Sequence, residues 1–302
     1  MRIGIFGGDL GPAGVPVDGI VADARKAADE GFASYWLPQI FGYDAITMLS
    51  MVGREVDGIE LGTAVVPTYP RHPMMLAAQA LTANAASGGR FTLGIGLSHQ
   101  IVIEGMFGFS FEKPARHMRE YLAILLPLLR GEQISVTGET LTFRGNVQVP
   151  AEPCPVVIAA LAPRMLALAG SQADGTITWM TGHATLADHI VPSITKAADD
   201  AGKPAPRVVC SLPVMVSDDP DEARRMAAES FAIYDQLPSY KAMLDREGAG
   251  GPADVAIVGD EDAVRAGIDR MADAGCTEFV AAEFARSDDD RRRTRELLRS
   301  LL

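Results

Sequence analysis

Ile59-Glu-Leu-Gly-Thr-Ala-Val-Val66, Pro73-Met-Met-Leu-Ala-Ala-Gln-Ala-Leu-Thr-Ala-Asn-Ala-Ala86 and Phe91-Thr-Leu-Gly-Ile-Gly-Leu97 follow one another with short joints between them. The outer two segments are short and apolar on nearly every residue, the pattern of strands covered on both faces. The middle one reads as a helix. Pro73 suits a first helical turn, which has no use for its missing N–H. Ser87-Gly88-Gly89 then ends the helix where the chain must turn left-handed. Strand, helix and strand in this order make one βα unit, and the strands it joins are parallel.

The same unit recurs on both sides. Arg2–Phe6 is a first run, followed by a helix from Asp18 that places Ile20, Val21, Ala24, Ala27 and Ala28 on one face and stops at Gly31. Ser34–Leu37 is the second run, closed by Pro38; Asp44 can cap a helix over Ala45–Val56 before Asp57-Gly58 turns the chain. Beyond Leu97, runs five to eight read as Val156–Ala160, Thr176–Met180, Val208–Val216 and Glu278–Phe284. Helices fit at Arg164–Ser171, Leu186–Ala201, Pro220–Ile233 and Glu261–Ala274. Eight such units predict a (β/α)8 TIM barrel forming a single domain over residues 1–302. A doubly wound sheet is the competing architecture, and it usually has fewer strands.

Two stretches break the rhythm, at about residues 104–150 after the fourth strand and 234–251 after the seventh. The first holds a Gly/Phe-rich loop with Phe107, Phe109 and Phe111, a helix over Arg116–Leu129 with Pro127 near its end, and a hairpin over Ile134–Phe143 around Gly138-Glu139. The second carries Tyr234 and Tyr240 and ends in Gly248-Ala-Gly-Gly. Insertions that follow barrel strands lie at the catalytic mouth, so both are expected as lids. Their aromatic residues suit an apolar or cyclic ligand and equally suit ordinary closure packing.

Composition narrows the function. The chain has 302 residues with 27 Lys+Arg against 39 Asp+Glu, a net charge of −12. That balance argues against nucleic-acid binding, which needs a basic surface, and leaves room for an anionic small molecule held by backbone amides. No apolar run approaches the roughly 18 residues of a membrane span, and the opening apolar stretch is too short for a signal peptide. Cys154, Cys210 and Cys276 are far apart, with no CxxC and no Cys/His cluster, so neither disulfides nor a metal site are expected. A cytoplasmic protein with buried thiols and a small-molecule substrate is the expectation.

In a barrel of this kind the active site lies at the C-terminal strand ends. These are Phe6 to Asp9, Pro38 to Phe41, Thr63 to Tyr69, Gly96 to His99, Ala159 to Ala162, Trp179 to Thr181, Pro213 and Glu283. They are rich in Gly, Ala, Pro, aromatics and hydroxyls and poor in acids and bases. Such a lining suits a flat ring cofactor that carries its own chemistry. It does not suit hydrolysis, which needs paired carboxylates, a triad or a metal.

The segments Asp44-Ala-Ile-Thr-Met-Leu-Ser, Ile59-Glu-Leu-Gly-Thr-Ala-Val-Val-Pro, Arg71-His-Pro-Met-Met-Leu-Ala-Ala-Gln and Ser87-Gly-Gly-Arg-Phe-Thr-Leu-Gly-Ile-Gly-Leu, in this order, resemble the bacterial luciferase-like oxidoreductases. Gly31-Phe-Ala-Ser-Tyr-Trp-Leu-Pro, Ala169-Gly-Ser-Gln-Ala-Asp-Gly and Ile257-Val-Gly-Asp extend the likeness from Arg2 to about Phe284. Within that family the chain looks most like the branch that uses coenzyme F420, an 8-hydroxy-5-deazaflavin.

The resemblance implies a luciferase-like barrel, a homodimer, and an enzyme that moves a hydride between the deazaflavin and a small organic substrate. It also implies a cis peptide at Ala64–Val65 behind the ring, and a cofactor phosphate on the backbone of Ala159, Ala160, Leu161 and Ala162. Trp179 and Thr181 would line the same cleft. The strand-end positions Gly7, Pro38, Gln39, Thr63, Ala64, Val65, Gly96, Ser98 and His99 complete the expected cofactor contacts. His99 stands where sugar-phosphate dehydrogenases of the family carry an acid, which disfavours sugar-phosphate oxidation and makes His99 the expected proton-transfer group. Gln39 is the second expected catalytic residue, as a hydrogen-bonding partner of ring or substrate, with loop capping as its simpler role. An FMN-dependent monooxygenase and a catalytically silent cofactor-binding barrel are the alternatives.

Simpler roles are expected elsewhere. Arg71-His72-Pro73 reads as a loop arginine tying carboxylates, with His72 starting a helix. Arg116-His117-Met-Arg119 is either a steering patch for the acidic tail of F420 or a solvated helix face. Met48, Met51, Met74, Met75 and Met106 read as core filler, and Asp288-Asp-Asp-Arg-Arg-Arg as a capped, exposed start of the last helix.

Overall fold

The computed structural model describes residues 1–8 and 14–302; the expected strand-end residue Asp9 lies outside them. The chain alternates as the apolar runs require. β1 (Arg2–Phe6), α1 (Val17–Asp29), β2 (Ser34–Leu37), α2 (Ala45–Glu55), β3 (Glu60–Thr63), β4 (Val66–Pro67), α3 (Pro73–Ala86) and β5 (Phe91–Gly96) form the first half. The first insertion follows as α4 (Gln100–Gly105), α5 (Pro114–Leu129) and an antiparallel hairpin of β6 (Ile134–Thr137) and β7 (Thr142–Gly145). Then come β8 (Val156–Ile158), α6 (Pro163–Ser171), β9 (Gly175–Trp179), α7 (His183–Thr185), α8 (Val191–Asp200) and β10 (Arg207–Val216). α9 (Pro220–Ser230), α10 (Pro238–Glu247), α11 (Pro252–Val255), β11 (Ile257–Gly259), α12 (Glu261–Asp273), β12 (Glu278–Glu283) and α13 (Asp288–Arg299) complete it.

The strands close into a parallel barrel in the order β1, β2, β3, β5, β8, β9, β10, β12 and back to β1. This is the eight-stranded TIM barrel, with helices packed over its outer face.

The helix caps follow local chemistry. Asp44 accepts from Thr47 N, and His72 accepts from Met74 N ahead of Pro73. Ser287 accepts from Asp290 N at the start of α13. Some of the expected boundaries shift. The third run divides at Ala64–Val65, which is a cis peptide, so that β4 pairs with β5 separately from β3. The helix expected over Leu186–Ala201 begins at His183 and passes through a π stretch at Leu186–Ile190 before α8. Pro192 has no N–H to bond back to Asp188, which breaks the regular ladder there. β11 is too short to stand out by periodicity and adds to the far end of β10.

The barrel interior is layered. At the N-terminal floor, Glu278 accepts from Ser34 Oγ at 2.5 Å and Trp36 Nε1 at 3.0 Å, and pairs with Arg207 at 2.8 Å. Arg207 also reaches Glu60 at 2.8 Å, and Glu60 accepts from Arg2 and Thr92 at 2.7 Å each. Every charge there has a partner, as burial demands. Above the floor, Trp36, Val157, Ile177, Val209 and Val280 fill the lumen, with Phe6, Ala64 and Val65 packed on top. Gly62 makes room for the Trp36 indole, since a Cβ there would stand 2.3 Å from Trp36 Cε3.

Not every methionine is core. Met48 is buried, but Met51, Met75 and Met106 are 40%, 55% and 61% exposed. They lie on outward faces of α2 and α3 and at the end of α4, where the apolar stripe does not reach. The three cysteines are buried and free; burial pushes the Cys154 thiol up to about 12, which leaves it unreactive. No helix of the described residues is long and apolar enough to cross a membrane, and no cluster of His, Cys, Asp or Glu among them is arranged to hold a metal ion.

Candidate active site

Strand ends β1, β5, β8 and β9 meet at one mouth. Gly7 donates its N–H to Trp36 O at 2.8 Å, and Phe6 stacks on Trp179 across the mouth with centroids 5.6 Å apart. Gly96 lets Val65 and Ala159 pack directly against the β5 backbone: a Cβ there would stand 2.7 Å from Val65 Cγ2 and 3.2 Å from Ala159 Cβ. Thr68 N bonds Gly96 O at 2.9 Å and Ala159 N bonds Ile95 O at 2.8 Å, which ties the neighbouring strand ends to β5. Ser98 (φ 60) and Met180 (φ 51) both adopt the left-handed backbone just past strands β5 and β9. This conformation is uncommon for residues with side chains and concentrates at functional sites.

His99 follows Ser98 at the N-terminus of α4, with its backbone carbonyl accepting from Val102 N and Ile103 N at 2.9 Å each. Its imidazole is partly buried, and burial holds its pKa below the ordinary histidine value, so the neutral form dominates near pH 7. Its ring lies 5.4 Å from that of Tyr240. Tyr240 and Tyr234, from the second insertion, meet edge to face at 5.2 Å, and Tyr234 meets Trp179 the same way at 5.8 Å. The second insertion therefore reaches both His99 and Trp179.

Past β8, Ala159 to Ala162 lead into α6, whose N-terminus has no side-chain cap. Leu161 O accepts from His189 Nε2 at 2.8 Å, which fixes the turn. An uncapped helix start presents N–H groups suited to an anion. Thr181 donates to Trp179 O at 3.2 Å. Ser211, opposite Trp179 in the β9–β10 pairing, has a buried hydroxyl without a hydrogen-bond partner. The alternation Val209, Ser211, Pro213 along β10 was the signal for it, and sequence reasoning passed over it inside a long apolar run.

Two of the expected contacts are engaged elsewhere. Thr63 Oγ1 donates to Gly94 O and accepts from Gly94 N, both at 2.8 Å, so its hydroxyl bridges β3 to β5. Gln39 Oε1 accepts from Ala45 N at 2.8 Å and Arg71 Nη2 at 3.4 Å, the loop-capping role. Pro38 precedes it, half-buried. Arg71 also pairs with Asp44 and donates to Gln79 at 3.2 Å, a structural tie. Burial opposes ionisation of Asp44, but hydrogen bonds from Arg71 and Thr47 outweigh it and hold the carboxyl below its usual range.

The first insertion departs from a simple solvated face. Arg116 pairs with Glu139 of the hairpin turn and Arg119 is exposed, but His117 is buried, 3.1 Å from Thr68 Oγ1 and stacked on Tyr69 at 4.0 Å. Helical spacing turns His117 and Met118 inward, while Arg119 faces water. Phe111 stacks on the same Tyr69 ring at 5.4 Å, whereas Phe107 and Phe109 stay 43% and 46% exposed. Tyr69 has a buried hydroxyl with no partner. At the far end of the chain, Asp288 to Arg293 are less free than expected: Arg293 pairs with Glu261 and Asp218 at 2.9 and 3.0 Å. A cavity of about 760 Å³ lies beside β1 between α1 and α13, lined by Asp23, Tyr35, Glu283 and Arg295. Its lining includes Phe6, which also stacks on Trp179 at the mouth, and does not include His99.

The closed parallel barrel gathers His99, the Phe6 and Trp179 rings and the uncapped start of α6 at the C-terminal ends of its strands, where TIM-barrel enzymes carry their active sites. Residues 1–291 match the family described as luciferase-like monooxygenase, and the chain belongs to that family. It is 29% identical over 236 residues to the 5,10-methylenetetrahydromethanopterin reductase of Methanolobus tindarius, covering 77% of this chain and 72% of that protein. The coenzyme F420-dependent tetrahydromethanopterin reductase of Methanopyrus kandleri has a similar fold, with a TM-score of 0.80, 21% identity, and 99% and 97% of the two chains covered. The oxygenating constituent of 3,6-diketocamphane monooxygenase from Pseudomonas putida, solved with FMN, matches at a TM-score of 0.77 and 17% identity over 99% and 96%.

Proposed function

We propose that this chain is a coenzyme F420-dependent oxidoreductase that moves a hydride between the deazaflavin and a small organic substrate. The observation that carries the reading is the mouth itself, where His99 follows the left-handed Ser98 just past β5, at strand ends that also bring in Phe6, Trp179 and the turn before α6. The buried, unpartnered Ser211 hydroxyl and the uncapped start of α6 fit a polar, phosphate-bearing ring cofactor. The likeness to reductases, one of them named for F420, favours the deazaflavin over FMN.

In this reading the backbone of Ala159 to Ala162 would hold the phosphate, and Ala64, Val65 and Gly96 would back the ring. Gly7, Pro38, Ser98, Trp179 and Thr181 line the cleft. Thr63 and Gln39 shape it from behind through their bonds to Gly94 and Ala45. When bound, the deazaflavin supplies a two-electron hydride carrier that reacts poorly with oxygen. His99 takes up or releases the accompanying proton at the substrate oxygen or nitrogen, a task for which a group near its switching pH is suited. We further propose one catalytic domain, with both insertions acting as lids, in a cytoplasmic homodimer; sedimentation tests the assembly.

Fluorescence-quenching titrations with F420 and FMN decide the cofactor. Binding of F420 with weak or no binding of FMN is expected; tight FMN binding without F420 binding overturns the proposal. The structural likeness to an FMN-bound monooxygenase keeps that second reading in the comparison. His99→Ala should retain F420 affinity and lose substrate-dependent reoxidation of the reduced cofactor.

A further inference from the structure

We propose that Tyr240, carried by α10 of the second insertion, is the positioning residue for His99, its ring holding the imidazole at the barrel mouth and away from water. The inference rests on the proton-transfer role proposed for His99 and deepens it. The two rings lie 5.4 Å apart with planes inclined by 49°. Tyr240 is held edge-on by Tyr234 at 5.2 Å and 89°, and Tyr234 stands against Trp179 at 5.8 Å and 71°. Trp179 in turn stacks on Phe6 at 5.6 Å. The imidazole is thus the outer member of a series of five rings anchored in the barrel lumen.

The charged groups around this contact are engaged with other partners. Glu104, one turn along α4 from His99, accepts from Gln100 Nε2 at 2.8 Å and Phe111 N at 3.1 Å. Lys241, next to Tyr240 on α10, pairs with Asp245 at 2.8 Å and Asp235 at 3.7 Å. Burial is therefore what governs the protonation of His99, and burial depends on the ring that covers it. Tyr240 remains a neutral phenol throughout the working pH range, because its own burial pushes its ionisation far up. With the insertion seated, the Tyr240 ring shields one side of the imidazole, and removing that ring exposes His99 further to water.

Nuclear magnetic resonance titration of the His99 C2–H signal in the cofactor-free protein, assigned with His99→Asn, tests this. In Tyr240→Phe the ring is kept and the titration midpoint should match the wild type. In Tyr240→Ala and Tyr240→Leu it should rise by about 0.5 or more toward the solvent value. Midpoints for Ala and Leu within about 0.2 unit of wild type, well inside the effect burial produces, overturn the proposal. Should neither variant keep the native circular dichroism, a nuclear Overhauser contact between His99 and the Tyr240 ring in the wild type decides: its presence supports the proposal and its absence overturns it. An F420 titration of the same wild-type sample separates the two readings. Failure to bind F420 sinks the proposed function and leaves the His99 measurement standing.

Discussion

Arg207 Nη2 lies 2.8 Å from Oε2 of Glu278, a carboxylate with 1% of its side chain exposed, at the floor of the barrel. Glu278 also takes hydrogen bonds from Ser34 and Trp36, so the pair closes the lumen from below and orients the indole above it. Without Glu278, Arg207 is left with Glu60 as its carboxylate partner, and Ser34 and Trp36 lose the buried acceptor they share. Glu278→Ala should therefore cost about 3 kcal/mol, read as a lower urea midpoint with unchanged slope.

At the opposite end of the lumen, Gly96→Ala would place a methyl 2.7 Å from Val65 Cγ2. Overpacking of this kind costs about 1–3 kcal/mol, and here it also displaces Val65, one of the residues proposed to back the cofactor ring. F420 affinity, followed by fluorescence quenching, should fall by about tenfold or more, roughly 1.4 kcal/mol, with a smaller effect on thermal stability than Glu278→Ala.

Glu283 gives the fold a pH dependence. Burial, opposed by Arg295 and reinforced by Asp23 and Glu30, raises its carboxyl to about 7. The native state holds that proton where the unfolded chain has released it, so stability is complete below the ordinary glutamate range and is lost as pH rises toward 7. Urea titrations at intervals from pH 4.5 to 8 should show the decline, and Glu283→Gln should remove it.

His117 contributes with the opposite sign. Burial lowers it to about 4, with Glu120 raising it slightly. The unfolded chain takes up a proton below about 6.5 that the native state refuses, so this contribution is present above 6.5 and is lost as pH falls toward 4. His117→Gln should flatten the acid limb of the same titration. It should leave the Glu283 limb unchanged.

Much of the fold was legible in the local pattern. The segment from Pro73 to Gly96 reads the same in sequence and in structure because a proline at a helix start and glycines at its end act within a few residues. The same locality explains the misreadings. Leu186 to Ala201 has a helical pattern, but Pro192 disturbs the ladder one turn earlier than the pattern shows. Arg116 to Arg119 has the polarity of a solvent-facing helix, and His117 turns inward because Thr68 and Tyr69, brought in from β4, occupy that side.

By itself the sequence determined the alternation of strand and helix, the closure-competent number of strands, the two insertions and the chemical poverty of the strand ends. Only the tertiary structure decided what each of those strand-end residues touches. Thr63 is bound to Gly94, Gln39 is bound to Ala45, and His99 stands under Tyr240. Periodicity is set over a few residues, whereas these contacts depend on the register of strands around a closed ring, which joins positions far apart in the chain.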